Sequence, residues 1–146
     1  MKFVPAIPVL SVLTLTVLLL PTPTAAAPTR GNVKVLGIRV TFANFKNAPG
    51  LSTIANRLQG AKVSYSRYSY GKLNITFDTV EVSLPRNRNT YDAGSLADAA
   101  ELRARNKGFN PAGYAIVGFF HGGHASGNKA IVGGKRFWTN TGGATI

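Results

Sequence analysis

The chain has 146 residues, one domain's worth, and its 45% hydrophobic content argues against a disordered polymer. It holds no cysteine, which excludes disulfides, thiolate metal sites and cysteine nucleophiles. Lys and Arg number 17 against 5 acids, a net charge of +12. That balance favours anionic partners such as nucleic acid, acidic polysaccharide or an anionic envelope, yet scattered cations read equally well as a plain soluble surface.

Met1-Lys2 is a short charged start, residues 3–20 are almost wholly apolar, and a Pro/Thr stretch leads to Ala25, Ala26 and Ala27. Charge, apolar core, then small residues is the order of a secretory signal peptide. Cleavage after Ala27 would put Pro28 just past the scissile bond, where its fixed φ and missing N–H hinder processing. Cleavage after Ala26 is therefore expected, giving a signal peptide over 1–26 and one secreted domain over 27–146. An uncleaved anchor competes, since the stretch is near spanning length, but Pro5 and Pro8 interrupt it. No later segment reads as membrane-spanning.

In residues 33–42, Leu36, Ile38, Val40 and Phe42 alternate with Gly37, Arg39 and Thr41, the period-two pattern of a half-buried strand. Residues 51–70 place Leu51, Ile54, Ala55, Leu58, Ala61, Tyr65 and Tyr68 at helical spacing. Ser52 is the expected cap and Gly71 the expected stop. In residues 72–84, Leu73, Ile75 and Phe77 share a face before the phase slips at Asp78-Thr79 to Val80, Val82 and Leu84. The slip predicts a bulge or bend between two short strands. A second helix is expected with Ser95 and Asp98 as a capping box, continuing through 97–105 to Gly108. Residues 114–120 read as an interior strand, 121–128 as a Gly-rich loop and 130–140 as a strand interrupted at Gly133-Gly134. The order predicts an α/β fold.

His121 and His124 form the one histidine pair and could share a zinc ion, but the two glycines between them argue for surface loop histidines, and no third ligand is near in sequence. Asp78, Glu81, Asp92, Asp98 and Glu101 are too dispersed to propose an acid/base pair. The segment Tyr65-Ser66-Arg67-Tyr68-Ser69-Tyr70-Gly71-Lys72 interleaves aromatics with cations, as single-strand nucleic-acid binders do. Helical spacing instead turns Tyr65 and Tyr68 toward the core, and export makes nucleic acid an unexpected target. Gly133-Gly134 lacks the Gly-Lys-Ser/Thr of a phosphate loop.

Five segments in order resemble the catalytic domain of gametolysin-like secreted metallopeptidases and their immune-inhibitor-A-like relatives. Val35-Leu36-Gly37-Ile38-Arg39-Val40-Thr41-Phe42-Ala43-Asn44-Phe45 is similar to the family's opening strand, and Tyr68-Ser69-Tyr70-Gly71-Lys72-Leu73-Asn74-Ile75-Thr76 to its S-Y-G-k-l-x-l-t signature. Leu84-Pro85 with Tyr91 matches l-P…Y, and Tyr114-Ala115-Ile116-Val117 resembles Y-D-x-x-v with Ala115 in place of Asp. Ala130-Ile131-Val132-Gly133-Gly134 through Trp138 resembles the family's V-G-G…W strand.

The resemblance implies the front lobe of a zincin, with a twisted mixed sheet and two helices, and a zinc endopeptidase acting on extracellular protein. It implies zinc held by an H-E-x-x-H helix that follows the V-G-G…W strand. No position here matches that motif, so no catalytic or metal residue carries over, and 27–146 is expected to be an incomplete domain, inactive alone. The V-G-G…W strand resembles the sheet edge that pairs with extended peptide, which makes Gly133, Gly134, Arg136 and Trp138 the expected substrate-binding residues. The competing reading is a small exported basic module for anionic cell-surface polymers such as an anionic polysaccharide. A lobe should expose apolar surface, whereas a module should be self-contained and bind polyanions in a salt-dependent way.

Overall fold

The computed structural model describes residues 30–123, 128–130 and 134–140. It is α/β, a mixed five-stranded sheet with two helices. The elements are β1 (Gly31–Phe42), α1 (Leu51–Tyr68), β2 (Leu73–Leu84), α2 (Ala93–Arg105), β3 (Ile116–His121), β4 (Lys129–Ala130) and β5 (Arg136–Asn140). Strand order is β2-β1-β3-β5-β4. The first four are parallel neighbours, and β4 runs antiparallel to β5 as the outer strand.

The two helices lie on opposite faces of the sheet. Ile54 and Leu58 of α1 pack on Val33, Val35, Leu73, Ile75 and Phe120. Leu96, Ala97, Ala100 and Ala104 of α2 pack on Leu36, Ile38, Val40, Phe42, Val80, Val82 and Leu84, together with Phe119 and Trp138. Complete burial of an aliphatic side chain such as Ile54 contributes about 1.5–3 kcal/mol.

This two-sided cover explains the phase slip in β2. The expected bulge is absent: β2 pairs with β1 residue for residue from Gly31↔Leu73 to Phe42↔Leu84. Alternation is strict, and what changes at Asp78-Thr79 is the face that a helix covers. The first half of the strand is apolar toward α1 and the second half toward α2. β1 switches in the same way between Val35 and Leu36.

Other expectations are corrected at the ends of elements. Gly50, not Ser52, occupies the N-cap of α1, with no side-chain cap bond. α2 starts at a capping box of Asp92 and Ser95, leaving Asp98 free to face β5. The expected strand over 130–140 is a two-strand hairpin, β4 and β5. His121 is the last residue of β3 and fully buried, not a surface loop residue. His124 lies outside the described residues.

Candidate functional site

β5 is held in place from both faces. On the α2 side the Arg136 guanidinium donates to Glu101 Oε1 at 2.7 Å and Asp98 Oδ1 at 2.8 Å. The Glu101 hydrogen bond, with Asp98 behind it, keeps that guanidinium above its ordinary pKa against the opposing effect of burial. The Trp138 indole stacks on Phe119 with centroids 5.6 Å apart, and its N–H donates to the Ala93 carbonyl at 3.1 Å. On the α1 side Phe137 stands edge-on to Phe120 at 5.7 Å. Gly118, directly opposite on β3, leaves the space that the Phe137 ring fills, since a Cβ there would overlap it.

β5 is therefore not a sheet edge, contrary to the reading of the V-G-G…W segment. It lies between β3 and β4, and on that side the edge belongs to Lys129 and Ala130, both exposed, with β2 at the opposite edge. The edge moves because Lys129–Ala130 pairs antiparallel alongside β5 rather than continuing it. Of the expected substrate-binding residues, Arg136 and Trp138 are both engaged with α2, and Gly134 is exposed just before β5. Gly133 lies outside the described residues.

An apolar groove of about 450 Å³ opens on the α1 face. Val33, Val35, Ile116 and Phe137 contribute from the sheet, Ala61 and Tyr65 from α1, and Ala130 from the edge strand. It lies beside α1, which packs chiefly over β2 and β1, and among the described residues no helix covers the β3–β5 half of this face. The groove was not legible in the sequence. Its signal would have been the apolar residues of β3 and β5 that point away from α2.

The other polar cluster is structural in character. Tyr114 donates its hydroxyl to Asp78 Oδ2 at 2.8 Å, and Lys34 Nζ lies 3.2 Å from the same oxygen and 4.7 Å from the Tyr114 ring centre. Burial, then the Asp78 carboxylate, pushes the Tyr114 hydroxyl up to about 12. The Tyr114 hydrogen bond, against burial and with Lys34 helping, draws the Asp78 carboxyl below its ordinary value.

A catalytic zinc needs three protein ligands and an open position. Among the described residues no three of His, Cys, Asp and Glu gather to supply them. His121 is buried at the end of β3, and the acids are taken up by Lys34, Arg39, Arg105, Arg136 and the α2 cap. These residues do not fit the metal.

No family model matches the chain, and no curated protein or solved structure proved similar to it.

Proposed function

We propose that this domain is the front lobe of a secreted zinc-dependent endopeptidase: it carries the peptide-pairing sheet edge, and the metal-bearing part lies elsewhere. One observation carries the reading, the apolar groove that runs from α1 to Ala130 of β4 and is open among the described residues. A self-contained module should cover such a face, because a contiguous apolar surface in water opposes solubility and marks an interaction site. Covering it with a further helix of the same protein would complete the second layer on that side of the sheet.

The edge at β4, one of the sheet's two edges and unpaired on its outer side among the described residues, supports the same reading. Its outward N–H and C=O groups can pair with an extended peptide in the manner of an added strand. The role falls to the backbone of Lys129 and Ala130 rather than to the side chains of Arg136 and Trp138, which hold β5 to α2. No hydrolytic step is assigned to the described residues.

The native protein, captured from the secreted fraction with an antibody against the folded domain, tests the proposal. The expected result is a mass well above 15.5 kDa with casein-digesting activity lost on chelation. A native product of that mass or less, inert toward casein, overturns it.

A further inference from the structure

The apolar stripe of α1 is longer than the surface it covers. Ile54, Leu58, Ala61, Tyr65 and Tyr68 follow one another at three- and four-residue spacing and so share one side of the helix. Ile54 and Leu58 are buried, but Tyr65 is 56% and Tyr68 79% exposed. The two tyrosines expected in the core are exposed instead: Tyr65 forms part of the groove wall, and Tyr68 stands out in solvent.

The chain then presents a third ring. Tyr70 is 91% exposed and has φ +53°, a left-handed backbone that costs a bulky residue about 1–2 kcal/mol. The turn that holds it is fully bonded. Ser69 N–H donates to Tyr65 O, Tyr70 N–H to Arg67 O and Gly71 N–H to Ser66 O, while Leu73 N–H donates to the Ser69 hydroxyl. Tyr70 is thus held outward by built structure.

Cations interleave with these rings. Arg67 and Lys72 are exposed beside them, and neither has a carboxylate in ion-pair range among the described residues. No acid precedes Asp78 anywhere in the chain. Four of the acids pair with bases elsewhere on the fold.

We infer that Tyr68 and Tyr70, with Arg67 and Lys72, form a docking surface for an acidic polysaccharide, a linear chain of sugar rings bearing carboxylates. Phenol faces receive the C–H faces of sugar rings, their hydroxyls bond to sugar oxygens, and the cations pair with carboxylates. Tyr68 is the last residue of α1 and Tyr70 sits in the turn just past it, so the two rings flank the helix end beside Arg67 and Lys72. A membrane is disfavoured because the other exposed apolar residue of the helix, Val63, projects from the opposite side to Tyr65, so no single plane inserts both. The choice of glycan over nucleic acid rests on the signal peptide expected over residues 1–26, since bases also stack on aromatic rings.

The test uses the whole secreted chain and three probes at low salt: polygalacturonate, a single-stranded oligonucleotide, and phosphatidylglycerol vesicles. Polygalacturonate should bind most tightly, with affinity falling as salt rises. Tyr68→Ala with Tyr70→Asn, which removes no charge, should weaken it by roughly tenfold or more. Arg67→Gln with Lys72→Gln should weaken it more than Arg103→Gln with Lys107→Gln, an equal charge loss on and just beyond α2. Equal loss in the two charge pairs, no effect of the tyrosine changes, or tighter binding of the oligonucleotide or vesicles overturns the inference. None of these readouts involves hydrolysis, so the peptidase proposal stands or falls separately.

Discussion

Arg136 of β5 and Glu101 of α2 meet at 2.7 Å, and the Glu101 side chain is 11% exposed where they touch. This pair ties the penultimate strand in sheet order to a helix 35 residues earlier in the chain. It also determines which way Arg136 faces: toward α2, and away from any peptide along β4.

Arg136→Ala should therefore destabilise the fold by about 1–3 kcal/mol, because among the described residues Glu101 would keep only Arg105, 4.0 Å away, as a partner. Denaturant midpoints would measure it. Arg136→Met with Glu101→Leu, which removes both charges, should recover much of the loss. A single variant as stable as the parent would show that the pair contributes nothing.

Gly118 and Phe137 make a second testable contact. Gly118→Ala would push a methyl into the Phe137 ring and should cost about 1–3 kcal/mol. Adding Phe137→Leu should return part of that cost, giving a non-additive double-mutant cycle. Strict additivity would mean that the ring does not pack over this glycine.

Tyr114 gives a pH signature. Its folded value is raised from 10.0 to about 12, so its contribution is complete below the unfolded value and is lost as pH rises through the folded one. Relative to Tyr114→Phe, the parent should lose stability across that alkaline window. The same substitution removes the hydrogen bond that lowers the Asp78 carboxyl, so Asp78 should titrate higher by carbon NMR. An unchanged Asp78 titration would contradict the contact.

Tyr70→Asn should raise stability by about 1 kcal/mol, since Asn tolerates the left-handed backbone that Tyr70 resists. A fall in stability would show instead that the exposed ring packs on the fold.

The groove should bind a hydrophobic fluorescent dye in the folded protein. Ala61→Glu, on the groove wall and compatible with a helix, should suppress the fluorescence without lowering the unfolding midpoint by more than about 1 kcal/mol. Dye binding unaffected by this change would place the apolar surface elsewhere.

The sequence by itself determined the element types. Period-two and period-3.6 patterns are local properties, so residues 33–42 and 51–70 declared a strand and a helix before any neighbour was known. It also announced the acid-free first half of the chain and the interleaving of tyrosines with cations. It left open which side of each element is covered, because burial depends on a partner distant in sequence. Only the tertiary structure decided that α1 and α2 take opposite faces, turning an apparent bulge at Asp78-Thr79 into a change of cover. In the same way the stripe carrying Tyr65 and Tyr68 is apolar by local spacing, yet both rings are exposed, Tyr65 on the wall of an open groove, because no described element packs over that end of the helix.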